Sequence, residues 1–408
     1  MARIGLVTAL LPPSIGGTQV LVWRLFQGDP NLVVVSGVKP EPLMSGDDYA
    51  PLAAPTLVLP YPRLRGYRYG LAPALGVLSA AWLGQALLRV VRFFRAERVD
   101  QVVSIPHHGP FALLGLLAAR ILGIPHTLYI LDAWEEGSAG PAERAFIRWG
   151  LGLAARSPRS RLAVVSPALG NHYRKAFGFG EATWIPNPAP LPSEGPPTDL
   201  SAPLPIVLFT GGIKPFNLAT IRCVVRSMRH CRFVQKLIIT GQAAQFAETL
   251  RSHGELHDRV ELRLCSRTEI ATLQSQAAVL LVATNPDDRS QTSLGYLPGR
   301  LPEYVATGRP ILLIGPDLSD AARAVRHWHL GPSTASQDER ELAQLFDTLA
   351  LQSSTGVSRE PDSPPYHDLF LEVFSRQEAR RRLLGDLALP VSGAAAELAT
   401  AFESATSD

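Results

Sequence analysis

Apolar runs of about strand length alternate with helix-like runs through the first half of the chain. The strand-like runs include IGLVTAL at residues 4–10, VDQVVSI at 99–105 and HTLYIL at 126–131, with amphipathic segments between them. Buried parallel strands give nearly continuous apolar runs, and strands that alternate with helices form parallel sheets. The pattern therefore predicts an α/β, doubly wound, Rossmann-like domain over residues 1–190.

A proline-rich polar stretch interrupts this alternation, which then restarts. Residues 188–205 read PAPLPSEGPPTDLSAPLP, and this composition suits neither a helix nor a central strand. Strand-like runs such as PIVLFTGG, KLIITG, AVLLVAT and PILLIG follow it. We therefore predict a linker over residues 191–204 and a second Rossmann-like domain over 205–372. Residues 373–408 are helix-like and are expected to pack back on the first domain.

Composition narrows the class of protein and its partners. The chain has 408 residues, which is more than one typical core, and a net charge of +3, which does not favour nucleic acid. Its three cysteines are sparse and lack metal-ligand spacing, as expected of reduced thiols in a cytoplasm. The first apolar run breaks at Pro12-Pro13. We therefore expect a first strand there, not a secretion signal.

One apolar segment reaches the lower length limit of a membrane-spanning helix. Residues 71–88 carry no charge, but they include a proline and continue into charged positions at helical spacing. We expect a buried or interfacial helix here. The preceding residues 61–70, YPRLRGYRYG, suit either a solvated loop or contact with an anionic membrane surface. Peripheral attachment to the inner face of the membrane is therefore an open expectation.

Glycine-containing turns follow several predicted strands, where open parallel sheets bind their ligands. Glycines allow close approach of the backbone, and a lysine or a helix N-terminus attracts phosphate. Plain tight turns and a solvent-facing lysine remain alternatives, because neither the dinucleotide fingerprint nor the P-loop pattern is present. The candidate phosphate-binding residues are Gly16, Gly17, Gly211, Gly212, Lys214 and Gly241.

Polar residues also follow two strands of the first domain. Asp132 ends the run TLYIL, and His107 and His108 follow VVSI. Each histidine could bind an anion, act as a base near neutral pH or have a structural role. Paired carboxylates at 47–48, 135–136 and 287–288 lack further ligands, so we assign no metal and no cofactor.

The stretch LPGRLPEYVATGRPIL, residues 297–312, carries the most specific signal. Arg300 and Glu303 stand three residues apart, a spacing that places them on one face of a helix. The cation suits a diphosphate, and the carboxylate can accept hydrogen bonds from ribose hydroxyls. A surface ion pair is the alternative for an isolated motif of this kind.

Taken in chain order, these motifs resemble the GT-B fold glycosyltransferases, most closely the retaining glycosyltransferase family 4. The resemblance spans almost the whole chain, and its most specific part is the family motif P-x-K-L-x-E-Y-x-A-x-G-x-P, with Arg300 in the lysine position. The matching segments are residues 14–17, 132–134, 165–166, 185–187, 209–211, 238–241 and 298–310.

The resemblance implies two Rossmann-like domains facing a central cleft, with a nucleotide-sugar donor bound mainly by the second. Arg300 and Lys214 would neutralise the diphosphate, Glu303 would bind the ribose, and Leu301 would belong to the donor site with the glycine turns. Gly16 and Gly17 would approach the donor phosphates. Asp132, His107 and His108 would lie on the side of the acceptor, which in this family is often a lipid-linked glycan.

The chain departs from the family at one position. Many relatives carry a glutamate eight residues before Glu303, where this chain has Gly295. We expect backbone groups of Leu294, Gly295 and Tyr296 to take its place. The sugar, the acceptor and the oligomeric state are not predicted. A non-catalytic nucleotide-sugar-binding homologue and a UDP-sugar epimerase on the same fold remain alternatives.

Overall fold

The computed structural model divides the chain into two compact units. One contains Met1–Ile185 and Arg382–Asp386, and the other contains Pro186–Arg381 and Leu387–Asp408. The residues described are 2–12, 17–37, 51–59, 72–106, 111–136, 141–190, 203–213, 215–241, 250–251, 254–355, 366–385 and 391–405. The predicted linker, residues 191–204, lies almost entirely outside these ranges.

The first unit contains a seven-stranded parallel sheet, as the alternating pattern predicts. Its strand order is β3-β2-β1-β4-β5-β6-β7. Every neighbouring pair is parallel. The strands are β1 (Ile4–Thr8), β2 (Leu32–Ser36), β3 (Thr56–Val58), β4 (Gln101–Ile105), β5 (His126–Ile130), β6 (Ser160–Val164) and β7 (Ala182–Trp184).

Helices cover this sheet with their apolar faces. They are α1 (Gly17–Phe26), α2 (Ala72–Ala96), α3 (Phe111–Leu122), α4 (Pro141–Ala155) and α5 (Pro167–Phe177). The local sequence sets the ends of α5: Ser166 caps its first turn, and Gly178 ends it in the left-handed region. From residue 72 onward, the segment expected to form a helix is helical, and Val90 and Phe94 of α2 pack into the core. No helix among the described residues is both long and apolar enough to cross a membrane.

The second unit contains a six-stranded parallel sheet of the same kind. Its strand order is β10-β9-β8-β11-β12-β13. The strands are β8 (Leu204–Thr210), β9 (Lys236–Thr240), β10 (Val260–Arg263), β11 (Ala277–Ala283), β12 (Ile311–Ile314) and β13 (Ser333–Thr334). The residues of β11 are buried throughout, as expected for a central parallel strand. The prediction of a second doubly wound domain is therefore confirmed.

Helices of this unit follow the strands and continue beyond them. They are α6 (Pro215–Ser227), α7 (Arg267–Gln276), α8 (Gln291–Leu294), α9 (Leu301–Thr307), α10 (Asp320–His327), α11 (Glu339–Thr355), α12 (Tyr366–Val373), α13 (Arg376–Leu384) and α14 (Gly393–Ser404). The last three residues of α13 group with the first unit. A capping box between Ser266 and Glu269 starts α7. Together β8, α6 and α11 enclose one continuous apolar core.

The C-terminal helices group mainly with the second unit. Residues 373–408 were expected to pack back on the first domain, but only Arg382–Asp386 group with the first unit. The last helix, α14, packs in the second unit, where the ring of Phe402 lies 4.7 Å from that of Trp328. Phe370 and Phe374 of the same cluster stack at 3.9 Å. These large rings bury the apolar face of α14 within the second unit.

Candidate functional site

Two glycine turns lie side by side at the carboxyl edge of the second sheet. Strand β8 ends at Thr210 and β9 at Thr240, and these two residues are paired in register. Gly211 and Gly241 follow them with φ angles of +116° and +106°, a region that side chains rarely adopt. The Gly211 amide donates to the Thr240 carbonyl at 3.2 Å. The structure therefore brings the predicted residues Gly211 and Gly241 together.

Arg300 lies against the first of these turns. Its Nη1 donates to the carbonyl oxygen of Thr210, and its guanidinium carbon lies 4.7 Å from the centroid of the Phe209 ring. A Cβ on Gly211 would lie 2.7 Å from that carbon, so glycine leaves room for the guanidinium. Arginine keeps its charge at all physiological pH values. A permanent positive charge is therefore held at the carboxyl end of β8.

Tyr304, a residue of α9, forms hydrogen bonds with Thr210 at the end of β8. Its buried hydroxyl accepts the amide proton of Thr210 at 3.0 Å and forms a second hydrogen bond with the Thr210 hydroxyl at 2.9 Å. Burial raises the pKa of Tyr304, so the phenol stays protonated. Tyr304 is absent from the predicted site residues. Its spacing of four from Arg300 is the signal that could have placed both on one side of α9.

Glu303 lies in the first turn of α9 and contacts α7. The buried amide of Gln274 donates to its carboxylate at 3.2 Å. We expected Arg300 and Glu303 to project together from one helical face. Instead α9 begins at Leu301, so Arg300 is the residue before the helix and bonds β8, while Glu303 bonds α7. Gln274 is a further residue of this site that no sequence motif indicates.

At the end of α8, the backbone amides form hydrogen bonds within their own turn. The amides of Leu294 and Gly295 donate to the carbonyls of Ser290 and Gln291, both at 2.9 Å, and the Tyr296 amide donates within the same turn at 3.4 Å. These groups were expected to replace the glutamate that many relatives carry. Their hydrogen bonds stabilise the turn itself. The side chain of Tyr296 instead pairs with an aromatic ring, that of Phe216, at 5.5 Å.

Two further predicted donor-binding residues have structural partners. Leu301 is fully buried, and its amide donates to the Pro298 carbonyl at 3.0 Å. Its side chain therefore packs in the core and fixes the start of α9. The carbonyl of Gly212 accepts a hydrogen bond at 3.3 Å from the buried amide of Asn217, which holds the loop between β8 and α6.

The acidic loop before α8 is also structural. Asp288 accepts hydrogen bonds from the Ser290 amide at 2.8 Å and from the Ser293 hydroxyl at 2.7 Å. Burial alone would raise the pKa of Asp288, but these hydrogen bonds hold it below its usual range. Among the described residues, no three His, Cys, Asp or Glu side chains are grouped to hold a metal ion.

Few of the residues predicted in the first unit can be described. Gly17 is the first residue of α1, and a Cβ there would meet nothing within 4 Å. Asp132 is exposed just beyond β5. The other predicted residues, Gly16, His107 and His108, lie outside the described residues, as does Lys214 of the second unit. Their proposed roles stay predictions.

A buried carboxylate follows β5 in the first unit. Glu135 is only 6% exposed, and its two oxygens contact Nε2 of His172 and the hydroxyl of Tyr173, the latter at 2.6 Å. Burial alone would raise the pKa of Glu135, but these two hydrogen bonds hold it below its usual range. The Tyr173 hydroxyl also accepts the amide proton of Trp134 at 2.9 Å. The cluster therefore fixes the segment that follows β5, and no sequence motif predicted it.

Comparisons with known proteins give matches at the level of structure. No protein-family profile and no curated protein matches the chain. A sucrose-phosphate synthase from Thermosynechococcus elongatus is 14% identical over 99% of both chains, with a TM-score of 0.61. A glycosyltransferase from Rickettsia africae is 9% identical over 99% of this chain and 98% of that chain, with a TM-score of 0.58.

A third solved structure has the same architecture. The lipopolysaccharide outer core galactosyltransferase WaaB is 12% identical over 94% of this chain and 98% of its own, with a TM-score of 0.56. At such low identity these matches concern the fold alone. Together with the two parallel α/β sheets, they show that this chain has the GT-B fold.

Proposed function

We propose that this chain is a glycosyltransferase that moves a sugar from a nucleotide-diphosphate donor to an acceptor hydroxyl. The observation that carries the proposal is the carboxyl edge of the second sheet. There Arg300 lies against the turn at Gly211. Glu303 follows three residues later, in the first turn of α9. The three solved structures reported above are all described as enzymes of sugar transfer or synthesis.

Arg300 is suited to bind the donor diphosphate. Only its Nη1 has a hydrogen-bond partner among the residues that the structure describes, and a guanidinium carries five N–H donors. The remaining donors can form the paired hydrogen bonds that phosphate oxygens accept. The contact with Thr210 fixes the cation in advance, so that little reorganisation accompanies the build-up of negative charge on the leaving group.

Glu303 is suited to bind the ribose of the donor. A carboxylate accepts hydrogen bonds from neighbouring hydroxyls, and the hydrogen bond from Gln274 fixes the position of one of its oxygens.

We propose that the transfer takes place in one displacement step. The acceptor oxygen forms a bond to the sugar carbon as the bond from that carbon to the donor phosphate breaks. The proton of the acceptor hydroxyl passes to the leaving diphosphate, which permits retention of configuration without a protein nucleophile. Because Arg300 supplies positive charge, this scheme includes no metal. We propose hexosyl transfer to a lipid-linked glycan, with Asp132 on the acceptor side.

A thermal-shift screen of nucleotide sugars tests the donor site. A ligand that binds only the folded state raises the unfolding temperature by mass action. We expect one or a few nucleotide-diphosphate sugars to stabilise the chain, and sugar-free nucleotide to stabilise it less. If no nucleotide sugar stabilises the chain at millimolar concentration, the proposal fails.

Product analysis then separates the transferase from its two alternatives. Incubation of the identified donor with candidate lipid-linked acceptors should give a glycosylated acceptor and free nucleoside diphosphate. An epimerised donor in the absence of acceptor would indicate the epimerase. Binding without turnover on any acceptor would indicate a non-catalytic homologue, in agreement with the absence of a carboxylate at Gly295.

A further inference from the structure

A basic cavity of about 280 Å³ opens at the amino edge of the first sheet. His126, the first residue of β5, and Ser160, the first residue of β6, form part of its wall. Three arginines complete its charged lining: Arg120 at the end of α3, and Arg156 and Arg159 in the loop after α4. No acidic residue lines this cavity among the described residues.

These arginines carry charge that the described part of the chain does not neutralise. None of Arg120, Arg156 and Arg159 forms an ion pair with a carboxylate within the described residues. Arg159 donates through Nη1 to the carbonyl of Gly123, which orders its guanidinium. The guanidinium of Arg156 extends over Gly152, where a Cβ would lie 3.5 Å from Nη2. An anion that enters the cavity is attracted by all three charges.

Besides apolar residues, the lining includes the buried ring of His126. Nε2 of His126 lies 3.0 Å from the Ser104 hydroxyl, and Nδ1 lies 3.2 Å from the Ser160 hydroxyl. Burial lowers the pKa of His126 to about 3, so the ring is neutral near pH 7. The positive charge of the cavity therefore comes from the arginines alone, and the histidine orders the serine beside them.

We propose that this cavity binds a phosphate group, carried either by a soluble phosphate ester or by a phospholipid headgroup. Guanidinium groups match phosphate oxygens with paired hydrogen bonds. The volume lies at or below the lower end of the usual range for small-molecule sites, about 300–1,000 Å³, so it suits a single phosphate-bearing group. The site is at the amino ends of β5 and β6 and does not depend on the proposed transfer reaction at the carboxyl end of β8.

Calorimetric titration of the full chain with inorganic phosphate tests the site. We compare the wild type with an Arg120→Gln/Arg156→Gln double variant and with Arg92→Gln, which removes an exposed arginine of α2 outside the cavity. The double variant loses two charge-assisted hydrogen bonds to phosphate, so it should bind phosphate roughly 100-fold more weakly. Arg92→Gln should bind like the wild type.

The remaining controls decide whether the site exists and identify the source of the phosphate. All substituted residues are exposed, so the variants should keep the wild-type unfolding temperature in phosphate-free buffer. If glycerol 3-phosphate competes with inorganic phosphate, and the protein does not sediment with vesicles of phosphatidylcholine and phosphatidic acid, the ligand is a soluble ester. If the wild type sediments with these vesicles and the double variant does not, the ligand is a lipid headgroup. Equal phosphate affinity in the wild type and the double variant, or no phosphate binding by the wild type, overturns the proposal.

Discussion

The carboxyl edges of the two sheets are built around charges of opposite sign. In the second unit the charge is the cation Arg300, held by the neutral carbonyl of Thr210 and the ring of Phe209. In the first unit the charge is the carboxylate Glu135, and His172 and Tyr173 engage both of its oxygens. Two sheets of the same parallel kind therefore carry different chemistry at the same edge, because the following loop and helix supply the side chains.

The two edges also differ in how many hydrogen-bonding groups of the charged side chain already have a partner. The hydrogen bonds of Glu135 fix the backbone of its own unit through Tyr173 and the Trp134 amide. Arg300 has one hydrogen bond to Thr210, and its other N–H groups have no partner among the described residues. A buried charge whose hydrogen-bonding groups are all paired can support the folded structure. A charge that is held in place but keeps N–H donors without partners is suited to bind a ligand.

Substitution of Arg300 should have the largest effect on activity. Removing one fixed group that stabilises developing negative charge costs roughly 100- to 1,000-fold in turnover, so Arg300→Ala should lose about that much. Arg300→Lys should recover part of the loss, because it restores the charge without the guanidinium fork. The measurement is the initial rate of sugar transfer with saturating acceptor. A folded Arg300→Ala variant with wild-type turnover would falsify the assignment, and Arg340→Ala, on the exposed side of α11, is the matched control.

Substitution of Glu135 should instead reduce stability most. Glu135→Ala leaves the His172 and Tyr173 side chains without their shared acceptor, at a cost of about 2–3 kcal/mol in the free energy of unfolding. Chemical denaturation at pH 7 measures this loss. Glu181→Ala removes an exposed glutamate of the same unit and should change stability little. Equal stability of the two variants would contradict a structural role for the buried carboxylate.

The contribution of Glu135 should also depend on pH. Its folded-state pKa is held below its usual range by His172 and Tyr173, against the opposing effect of burial. The stabilisation is therefore fully present above the unfolded pKa of about 4.3 and is lost as the pH falls through the lower folded value. Between pH 5 and 3, Glu135→Gln should lose less stability than the wild type. Parallel pH profiles would contradict this.

Tyr304 connects stability with the donor site, so its substitution should have a smaller, mixed effect. Tyr304→Phe removes the acceptor of the buried Thr210 amide and should cost about 1–2 kcal/mol in the free energy of unfolding. It should also weaken donor binding, because the Thr210 carbonyl positions Arg300. Thermal denaturation and donor titration measure the two effects. The control is Tyr366→Phe, at a tyrosine whose ring contacts His329. It should change neither the stability nor the donor affinity.

The sheets could be predicted because buried parallel strands leave nearly continuous apolar runs in the sequence. Strand β13 carries no such signal, because it consists of Ser333 and Thr334, both half-buried and polar. The pattern in α14 likewise indicates an apolar face, but not which surface covers it. For that reason its packing against Trp328 in the second unit was not predicted.

The candidate site was predictable only where its residues share one short motif. Arg300 and Glu303 are recognisable because they occur in the stretch of residues 297–312. Gln274 precedes Glu303 by 29 residues, and its contact exists only because α7 packs beside α9. Hydrogen bonds between distant segments depend on tertiary packing, which a pattern of neighbouring residues does not encode.

The contact between Gln274 and Glu303 gives the smallest predicted effect. Gln274→Ala leaves the carboxylate in place but removes the amide that fixes it, so donor affinity should fall by roughly two- to tenfold, as expected for one lost hydrogen bond. Maximal turnover should stay near the wild-type value, because Arg300 and its contact with Thr210 are unchanged. Gln276→Ala, at the end of the same helix, is the matched control. A fall in turnover at unchanged donor affinity would mean that Gln274 acts on the transition state, and Glu303 would then have more than a ribose-binding role.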